Sequence, residues 1–192
     1  MKIGIFGGTF NPPHVGHLIA IESVRDQERL TTVLFVPSAT PPNKQEGTIA
    51  PAADRLRMTQ LAIEANPNFQ VSDIEIQRTG ISFTVDTVNA LQSLYPEASI
   101  SLVIGSDNFL EFHTWKSPKE ILARVELIVM SRPGFDMRQA QSEYARLAKV
   151  VNVPPIGVSG TDIRRRVKLN RSIRYLVPKA VEDFIHHSDL YR

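Results

Sequence analysis

Two histidines stand three residues apart, a few positions after a pair of glycines near the start of the chain. The string reads Gly7, Gly8, Thr9, Phe10, Asn11, Pro12, Pro13, His14, Val15, Gly16, His17. Glycines let a backbone approach a ligand closely, and the N–H groups of a loop and a helix start point donors at an anion. Because imidazoles at this spacing project to one side of a helix start, the pattern predicts a phosphate site with two histidine donors. Metal ligation by the pair is the alternative.

A second group of polar residues lies near the other end of the chain. It reads Ser159, Gly160, Thr161, Asp162, Ile163, Arg164, followed by two more arginines. Serine and aspartate at this spacing resemble a capping box, and an ordinary N-cap that contributes about 1 kcal/mol is one interpretation. Three arginines near the positive end of a helix dipole are unfavourable without a negative partner. This second pattern therefore predicts that an anionic ligand lies at the start of a helix.

Short apolar segments alternate with segments of helical periodicity, and these elements must hold the two polar groups. Strands are predicted at residues 2–6, 32–36, 69–74, 100–104 and 127–130. Helices are predicted at residues 15–29, 52–65, 85–94, 117–123 and 178–187. Alternation of this kind favours an α/β fold, a Rossmann-like parallel sheet with helices on both faces and ligands beyond the carboxyl ends of the strands. We expect one domain over residues 1–192, with a small C-terminal helical part at about 159–192.

Composition narrows the function classes. The chain of 192 residues has no cysteine, which excludes disulfides and thiolate metal sites, and it shows no apolar stretch typical of a signal peptide or membrane span. We therefore expect a cytoplasmic protein without a membrane partner. Residues 161–192 carry eight Lys or Arg against four Asp or Glu. This basic end lacks an aromatic platform among residues 164–174, so RNA binding is a weak alternative and no nucleic-acid partner is expected.

The first string resembles the glycine-rich loop and His-x-Gly-His motif of the nucleotidyltransferase superfamily, and Gly-Gly-Thr-Phe-Asn-Pro-Pro-His resembles its nicotinate mononucleotide adenylyltransferase branch. The second string resembles the family signature Ile-Ser-Ser-Thr-x-Ile-Arg, with Gly160 in place of the second serine. The resemblance implies a Rossmann-like fold in which His14, His17 and Arg164 are catalytic. It implies ATP contacts at Gly7, Gly8, Thr9, Phe10, His14, His17, Gly105, Asp107, Arg132, Ser159, Thr161 and Arg164.

The same resemblance covers the side of the mononucleotide. Arg78, Gly80, Ser82, Phe83 and Thr84 resemble Arg-x-Gly-x-Ser-Tyr-Thr, and Pro42, Asn43 and Lys44 in the long loop at 37–51 resemble Pro-His-Lys. It implies mononucleotide contacts at Asn11, Lys44, Thr84, Asp107 and Trp115, with Trp115 stacked on the pyridine ring. Core packing of Trp115, the sole tryptophan, and a surface turn at Arg132 are the alternatives.

The resemblance implies transfer of the adenylyl group of ATP to nicotinate mononucleotide, with Mg²⁺ held mainly through the ATP phosphates. The mononucleotide brings its own ionised phosphate as nucleophile, so no protein nucleophile or general base is needed. Nicotinamide mononucleotide or, more distantly, phosphopantetheine are alternative acceptors. Because Gly160 and Asn43 depart from the family patterns, a nucleotide-binding regulator without catalysis is another alternative. The partners implied are ATP and the mononucleotide, and a homo-oligomer is compatible with the sequence.

Overall fold

A computed structural model of the chain describes residues 1–40, 49–78, 80–131 and 142–192. The strands are β1 (Lys2–Gly8), β2 (Thr32–Pro37), β3 (Phe69–Val71), β4 (Ser99–Gly105), β5 (Glu126–Ser131) and β6 (Ala148–Asn152). The helices are α1 (Val15–Glu28), α2 (Ala52–Ile63), α3 (Thr84–Leu94), α4 (Ser106–Leu110), α5 (Pro118–Arg124), α6 (Ser142–Ala145), α7 (Gly160–Lys168) and α8 (Lys179–His187). A short 3-10 helix, Phe112–Thr114, follows α4.

The six strands form one sheet in the order β3-β2-β1-β4-β5-β6, and every neighbouring pair is parallel. This arrangement confirms the predicted Rossmann-like α/β fold. Strand β1 pairs with β2 on one side and with β4 on the other, so the order of strands reverses there. Ligands of open parallel sheets bind outside the carboxyl ends of the strands at such a point. The loops that follow β1 and β4 are therefore the expected place for chemistry.

Two hydrophobic clusters cover the two faces of the sheet. Side chains alternate along β1, so Ile3 and Ile5 belong to one cluster and Phe6 to the other. The Phe6 cluster also takes in buried residues of α1, α2, α7 and α8, whereas the Ile3 cluster takes in residues of α3 and α5. Burial on both faces of the sheet holds the carboxyl ends of β1 and β4 in fixed positions. Every helix among the described residues falls short of the length and apolarity needed to cross a membrane.

Two strands differ from the prediction. β3 ends at Val71 rather than at residue 74, because Gln77 N–H donates to the Asp73 carbonyl at 2.9 Å and turns the chain away from the sheet. β6 was not predicted. It lies at the edge of the sheet and only Val151 of its five residues is buried, so the sequence shows little of the apolar pattern of a strand.

Candidate functional site

A cleft of about 840 Å³ opens at the carboxyl ends of β1 and β4. Its lining includes the loop after β1, the exit of β4, residues 82–87, the turn that holds Trp115 and residues 154–158. Ten residues predicted from the sequence share this wall: Gly7, Gly8, Thr9, Phe10, His14, His17, Thr84, Gly105, Asp107 and Trp115. The fold thus brings together groups that are up to 108 positions apart in sequence, from Gly7 to Trp115.

The loop after β1, residues 9–14, is anchored by an aromatic ring. Phe10 is 3% exposed, and its ring centroid lies 5.6 Å from that of Phe6 and 5.7 Å from that of Phe35. A Cβ atom on Gly8 would approach the Phe10 ring to 3.1 Å, closer than most real contacts. Glycine at position 8 therefore lets this ring enter the core, which fixes the path of the loop past the cleft.

The two histidines form one stacked unit. Their ring centroids lie 3.6 Å apart with an interplanar angle of 20°. The backbone N–H of His14 donates to Nδ1 of His17 at 3.2 Å. Because an accepting Nδ1 carries no proton, the neutral His17 ring has its proton on Nε2. Nε2–H is then the donor that His17 can offer to an anion in the cleft.

The positions of both histidine rings are set by their neighbours. The His17 ring packs edge-on against Phe10 at 5.4 Å and against Phe6 at 6.1 Å. A Cβ atom on Gly16 would lie 3.0 Å from Nδ1 of His14, so an alanine there would press on that ring. The glycine between the histidines thus makes room for the ring as well as for a ligand. The pair is a preorganised donor group rather than two independent side chains.

The start of α7 braces the loop after β1 from outside the cleft. Nη1 of Arg164 donates to the Asn11 carbonyl at 2.8 Å, and Nη2 donates to the Thr161 hydroxyl at 3.3 Å. The Ser159 hydroxyl accepts from the Asp162 N–H at 3.1 Å and caps the helix. Ser159, Thr161 and Arg164 therefore lie next to the cleft, where neighbouring Val158 forms part of its wall. Their predicted contacts with ATP stay predictions.

Glycine at position 160, the departure from the family signature, is explained by the close approach of the loop backbone at Asn11. A Cβ atom at this position would lie 2.9 Å from the Asn11 carbonyl oxygen and 3.4 Å from Nη1 of Arg164. A serine here would therefore collide with the backbone of the loop. The structure thus gives a packing reason for glycine in place of the second serine.

Two of the three arginines of α7 have a negative partner within the helix. Arg166 Nε donates to Asp162 at 2.8 Å and Arg165 forms an ion pair with the other oxygen of the same carboxylate. Hydrogen bonds from Arg166 and Arg165 hold the pKa of Asp162 below its ordinary value. Asp162 thus compensates part of the charge at this helix start, whereas Arg164 donates only to a carbonyl and a hydroxyl, and the predicted anionic ligand there stays a prediction.

A buried arginine, which sequence reasoning missed, forms hydrogen bonds to three segments beside the cleft. Arg55 is 1% exposed and donates to the carbonyls of Ala50, Thr9 and Ala39, each at 2.9 Å. It joins the loop after β1 to both described ends of the long loop. The sequence indicates its burial only through its place in α2, because Arg55 belongs to the series of buried residues that recur at helical spacing: Arg55, Met58, Thr59, Ala62 and Ile63.

Asn11 and the C-terminus complete this frame. The Asn11 side-chain oxygen accepts from Ala50 N–H at 3.0 Å and from the Tyr191 hydroxyl at 2.8 Å. Burial raises the pKa of the Tyr191 phenol, so the hydroxyl keeps its proton and remains a donor. The structure thus places Asn11, a predicted mononucleotide contact, among contacts within the protein. Its role toward the mononucleotide stays a prediction.

A buried carboxylate supports the opposite wall. Glu75 is 8% exposed and lines the cleft, and its Oε1 accepts from the Thr87 hydroxyl at 2.6 Å. Burial raises the pKa of Glu75, and hydrogen bonds from Thr87 and Ser82 partly offset that effect. Ser82 also accepts from Ala39 N–H at 3.1 Å. This network holds the segment that presents Thr84, the first residue of α3, at the cleft.

The exit of β4 supplies the remaining predicted groups. Oδ1 of Asp107 would lie 2.5 Å from a Cβ atom on Gly105, so the carboxylate folds back over a space that only glycine leaves open. Trp115 is half-buried, its ring lies 5.2 Å from that of Phe112, and it also lines the cleft. Trp115 thus packs against Phe112 and also borders the cleft, and its stacking on the pyridine ring stays a prediction.

Two predicted residues, Lys44 and Arg132, lie outside the described part of the chain, as does Asn43. Their roles stay predictions.

Comparisons with known proteins agree with this geometry. The cytidylyltransferase-like family model matches residues 5–166. A protein of Salinibacter ruber described as a "probable nicotinate-nucleotide adenylyltransferase" is 44% identical over 192 residues, which is 100% of this chain and 98% of that protein. A protein of Thermus thermophilus with the same description is 41% identical and is covered in full. The Plasmodium falciparum nicotinic acid mononucleotide adenylyltransferase complexed with NaAD has the same fold, with a TM-score of 0.81 at 17% identity and coverage of 99% and 97% of the two chains.

Proposed function

The chain belongs to the nicotinate-nucleotide adenylyltransferases within the cytidylyltransferase-like family, and we propose that the cleft at β1 and β4 is where it performs that reaction. The enzyme transfers the adenylyl group of ATP to nicotinate mononucleotide, which yields nicotinate adenine dinucleotide and pyrophosphate in NAD biosynthesis. One observation carries the assignment of the site: the stacked His14–His17 pair lies in the same cleft as Thr84, Asp107 and Trp115.

The reaction forms one bond and breaks one. A phosphate oxygen of the mononucleotide attacks the α-phosphorus of ATP, and the bond from that phosphorus to the oxygen bridging to the β-phosphorus breaks. The electron pair leaves with pyrophosphate. Since the nucleophile is already an anion, catalysis consists of holding the two phosphates in line and stabilising the charge on the transferring and leaving groups.

The residues of the loop after β1 fit that task. The His17 Nε2–H is a donor held in place by Phe6 and Phe10, and His14 is fixed against it. Preorganised donors of this kind each lower the activation barrier by about 2.7–4 kcal/mol in comparable oxyanion sites. We assign the ATP phosphates to this loop, with the guanidinium of Arg164 beside it at the start of α7. The five N–H groups of a guanidinium allow Arg164 to hold Asn11 and reach a phosphate together.

The other wall fits the mononucleotide. We assign the pyridine ring to the exposed face of Trp115 and a hydrogen bond to the Thr84 hydroxyl, while Asp107 at the β4 exit faces the ribose groups. The predicted contribution of Lys44 to the mononucleotide phosphate and of Arg132 to the ATP base completes the assignment. All of these residues except the last two lie on the described cleft wall.

A divalent metal, proposed to be Mg²⁺, would enter with ATP. Within the described residues, no group of three histidines and carboxylates is arranged to hold a metal ion. Mg²⁺ commonly keeps several waters and binds substrate phosphates, so the donor set here fits an ion held by ATP rather than by a protein cage. When bound, the ion neutralises charge on the phosphates.

A substrate panel tests the proposal. The protein is incubated with ATP, Mg²⁺ and, in turn, nicotinate mononucleotide, nicotinamide mononucleotide or phosphopantetheine, and pyrophosphate release is followed in a coupled assay. We expect turnover with nicotinate mononucleotide and formation of the dinucleotide. Binding of ATP without pyrophosphate release in any arm would favour the non-catalytic regulator and contradict the proposal.

A further inference from the structure

Most of the charged side chains that line the cleft are acidic. Glu75, Asp107 and Glu111 all line the cleft. Among the described residues of the wall, Lys116 is the single lysine or arginine. Asp107 and Glu111 repel a substrate that carries a carboxylate on its ring, and Lys116 is the lysine of the described wall that can offset this repulsion.

Lys116 is placed beside the surfaces that would hold the ring. It follows Trp115 in the chain, and its ammonium nitrogen lies 4.6 Å from the centroid of the Phe83 ring. Phe83 directly precedes Thr84. The same nitrogen lies 3.2 Å from one oxygen of Asp86 and 3.5 Å from the other. Trp115, Thr84 and the Lys116 ammonium thus converge from two different segments on one end of the cleft.

The contact between Lys116 and Asp86 is weak enough to be exchanged. The two side chains are 48% and 38% exposed, and ion pairs at such exposed positions contribute about 0–1 kcal/mol. A four-carbon side chain can redirect its ammonium over several ångströms at little cost. A carboxylate delivered deeper into the cleft, against aromatic rings that exclude water, attracts the same ammonium more strongly.

The acid and the amide of the pyridine ring differ in charge more than in shape. A hydroxyl such as that of Thr84 can donate to a carboxylate oxygen and to an amide oxygen, with the stronger bond to the charged acceptor. Hydrogen bonding at that position therefore accepts both ligands and gives only part of the discrimination between them. A cation does discriminate, because only the carboxylate gains a full Coulombic attraction.

We propose that Lys116 is a specificity-determining residue of this chain, whose ammonium leaves Asp86 to pair with the ring carboxylate of nicotinate mononucleotide. The proposal rests on the function assigned above. In this arrangement Trp115 and Thr84 position the ring, and the charge of Lys116 selects the acid over the amide. The contact involves a part of the substrate that does not react, so it acts on binding more than on turnover.

The test compares kcat/KM for nicotinate and nicotinamide mononucleotides in Lys116→Met, Lys116→Arg and Lys119→Met. Lys119 is the matched control, since it is exposed, pairs with Glu143 at 3.8 Å and lies outside the cleft wall. For Lys116→Met we expect the preference for the acid to fall at least about tenfold, equal to about 1.4 kcal/mol, mainly through KM for nicotinate mononucleotide. Lys116→Arg and Lys119→Met should keep the preference of the unchanged enzyme.

The results that would contradict the role of Lys116 differ from those that would contradict the proposed function. An unchanged ratio of the two kcat/KM values in Lys116→Met, with melting temperature preserved, overturns the role of Lys116 while leaving the adenylyl transfer intact. If Lys116→Met does not fold, Lys116→Gln keeps a polar side chain and removes the same charge, and it is held to the same criterion. Absence of pyrophosphate release by the unchanged enzyme with either mononucleotide contradicts the proposed function itself.

Discussion

The loop after β1 and the start of α7 were both predicted to hold the triphosphate, and in the structure they occupy different positions relative to the cleft. The loop lies on the cleft wall, with His14 and His17 stacked at its end. The start of α7 lies behind it, where Arg164 donates to the Asn11 carbonyl and Gly160 packs against the same atom. The loop forms part of the cleft wall, and the start of α7 contacts the loop from behind; the roles of both toward ATP stay predictions.

The difference shows that residue types and spacing identify a site more readily than they identify each residue's task. Hydroxyl, guanidinium and imidazole groups are all suitable for phosphate, so both strings predict the same ligand. Only the path of the chain decides which groups face the cleft. Changes to His14 and His17 should therefore affect turnover more than stability, whereas changes at the start of α7 should affect stability first.

The largest expected effect is that of His17→Ala. Loss of the Nε2–H donor should lower turnover at least about a hundredfold. Because His17 is only partly buried, the fold should stay intact, with a moderate fall in melting temperature from the lost contacts with Phe6, Phe10 and the His14 N–H. Pyrophosphate release and thermal unfolding are the measurements. His186→Ala, at an exposed site of α8, is the matched control. Near-normal turnover of His17→Ala would remove the distinction between the two regions.

Gly160→Ser tests the brace. The new Cβ would lie 2.9 Å from the Asn11 carbonyl oxygen, a backbone atom that yields little, so we expect a loss of about 1–3 kcal/mol in the free energy of unfolding. Urea denaturation measures it. Gly157→Ser is the control, because a Cβ there meets no atom within 4 Å. Equal stability of the two variants would show that the start of α7 does not press on the loop.

Tyr191→Phe tests the loop from its other side. The variant loses one hydrogen bond to the Asn11 side chain while the bond from Ala50 remains, so we expect a loss of about 1 kcal/mol in unfolding free energy. Tyr175→Phe, at a residue that is 85% exposed, should leave stability unchanged. A fall in turnover as large as that of His17→Ala, without loss of stability, would mean that Tyr191 acts on the substrate directly.

The smallest effect concerns Asp162 and pH. Its pKa is lowered in the folded protein by Arg166 and Arg165, so its contribution to stability is present above its ordinary value of 3.8 and is lost as pH falls through the folded value. Asp162→Asn should therefore be slightly less stable than the unchanged protein at pH 7, and the two should converge in acid. Unfolding at a series of pH values measures the difference. A gap that widens in acid would reverse the assigned direction.

Much of the fold could be predicted from the sequence, because its signals are local. Alternation of short apolar runs with helical periodicity predicted five of the six strands and the long helices close to their observed bounds. β6 escaped because an edge strand with one buried residue carries almost no apolar pattern. β3 was predicted too long because apolar Ile74 belongs to a turn rather than to the strand.

The site divides in the same way. The histidines, the glycines and Trp115 stand in recognisable strings, and the structure gathers them in one cleft. Arg55, Glu75 and Tyr191 stand in no such string. Their importance comes largely from distant partners, such as Thr9 for Arg55 at 46 positions, Thr87 for Glu75 at 12 and Asn11 for Tyr191 at 180, and single-sequence spacing does not display such contacts. A charged residue at a core position of a helix, as with Arg55, is the one signal of this kind that the sequence offers.

The most direct test of the account is ¹⁵N NMR of the protein with labelled histidine, with His17→Ala to assign the resonances, before and after addition of a non-hydrolysable ATP analogue. The hydrogen bond from His14 N–H to Nδ1 predicts that His17 is the Nε2–H tautomer and that its Nε2 resonance shifts when the analogue binds. An Nδ1–H tautomer, or an Nε2 resonance that does not move at saturation, would contradict the claim that this loop holds the reacting phosphates.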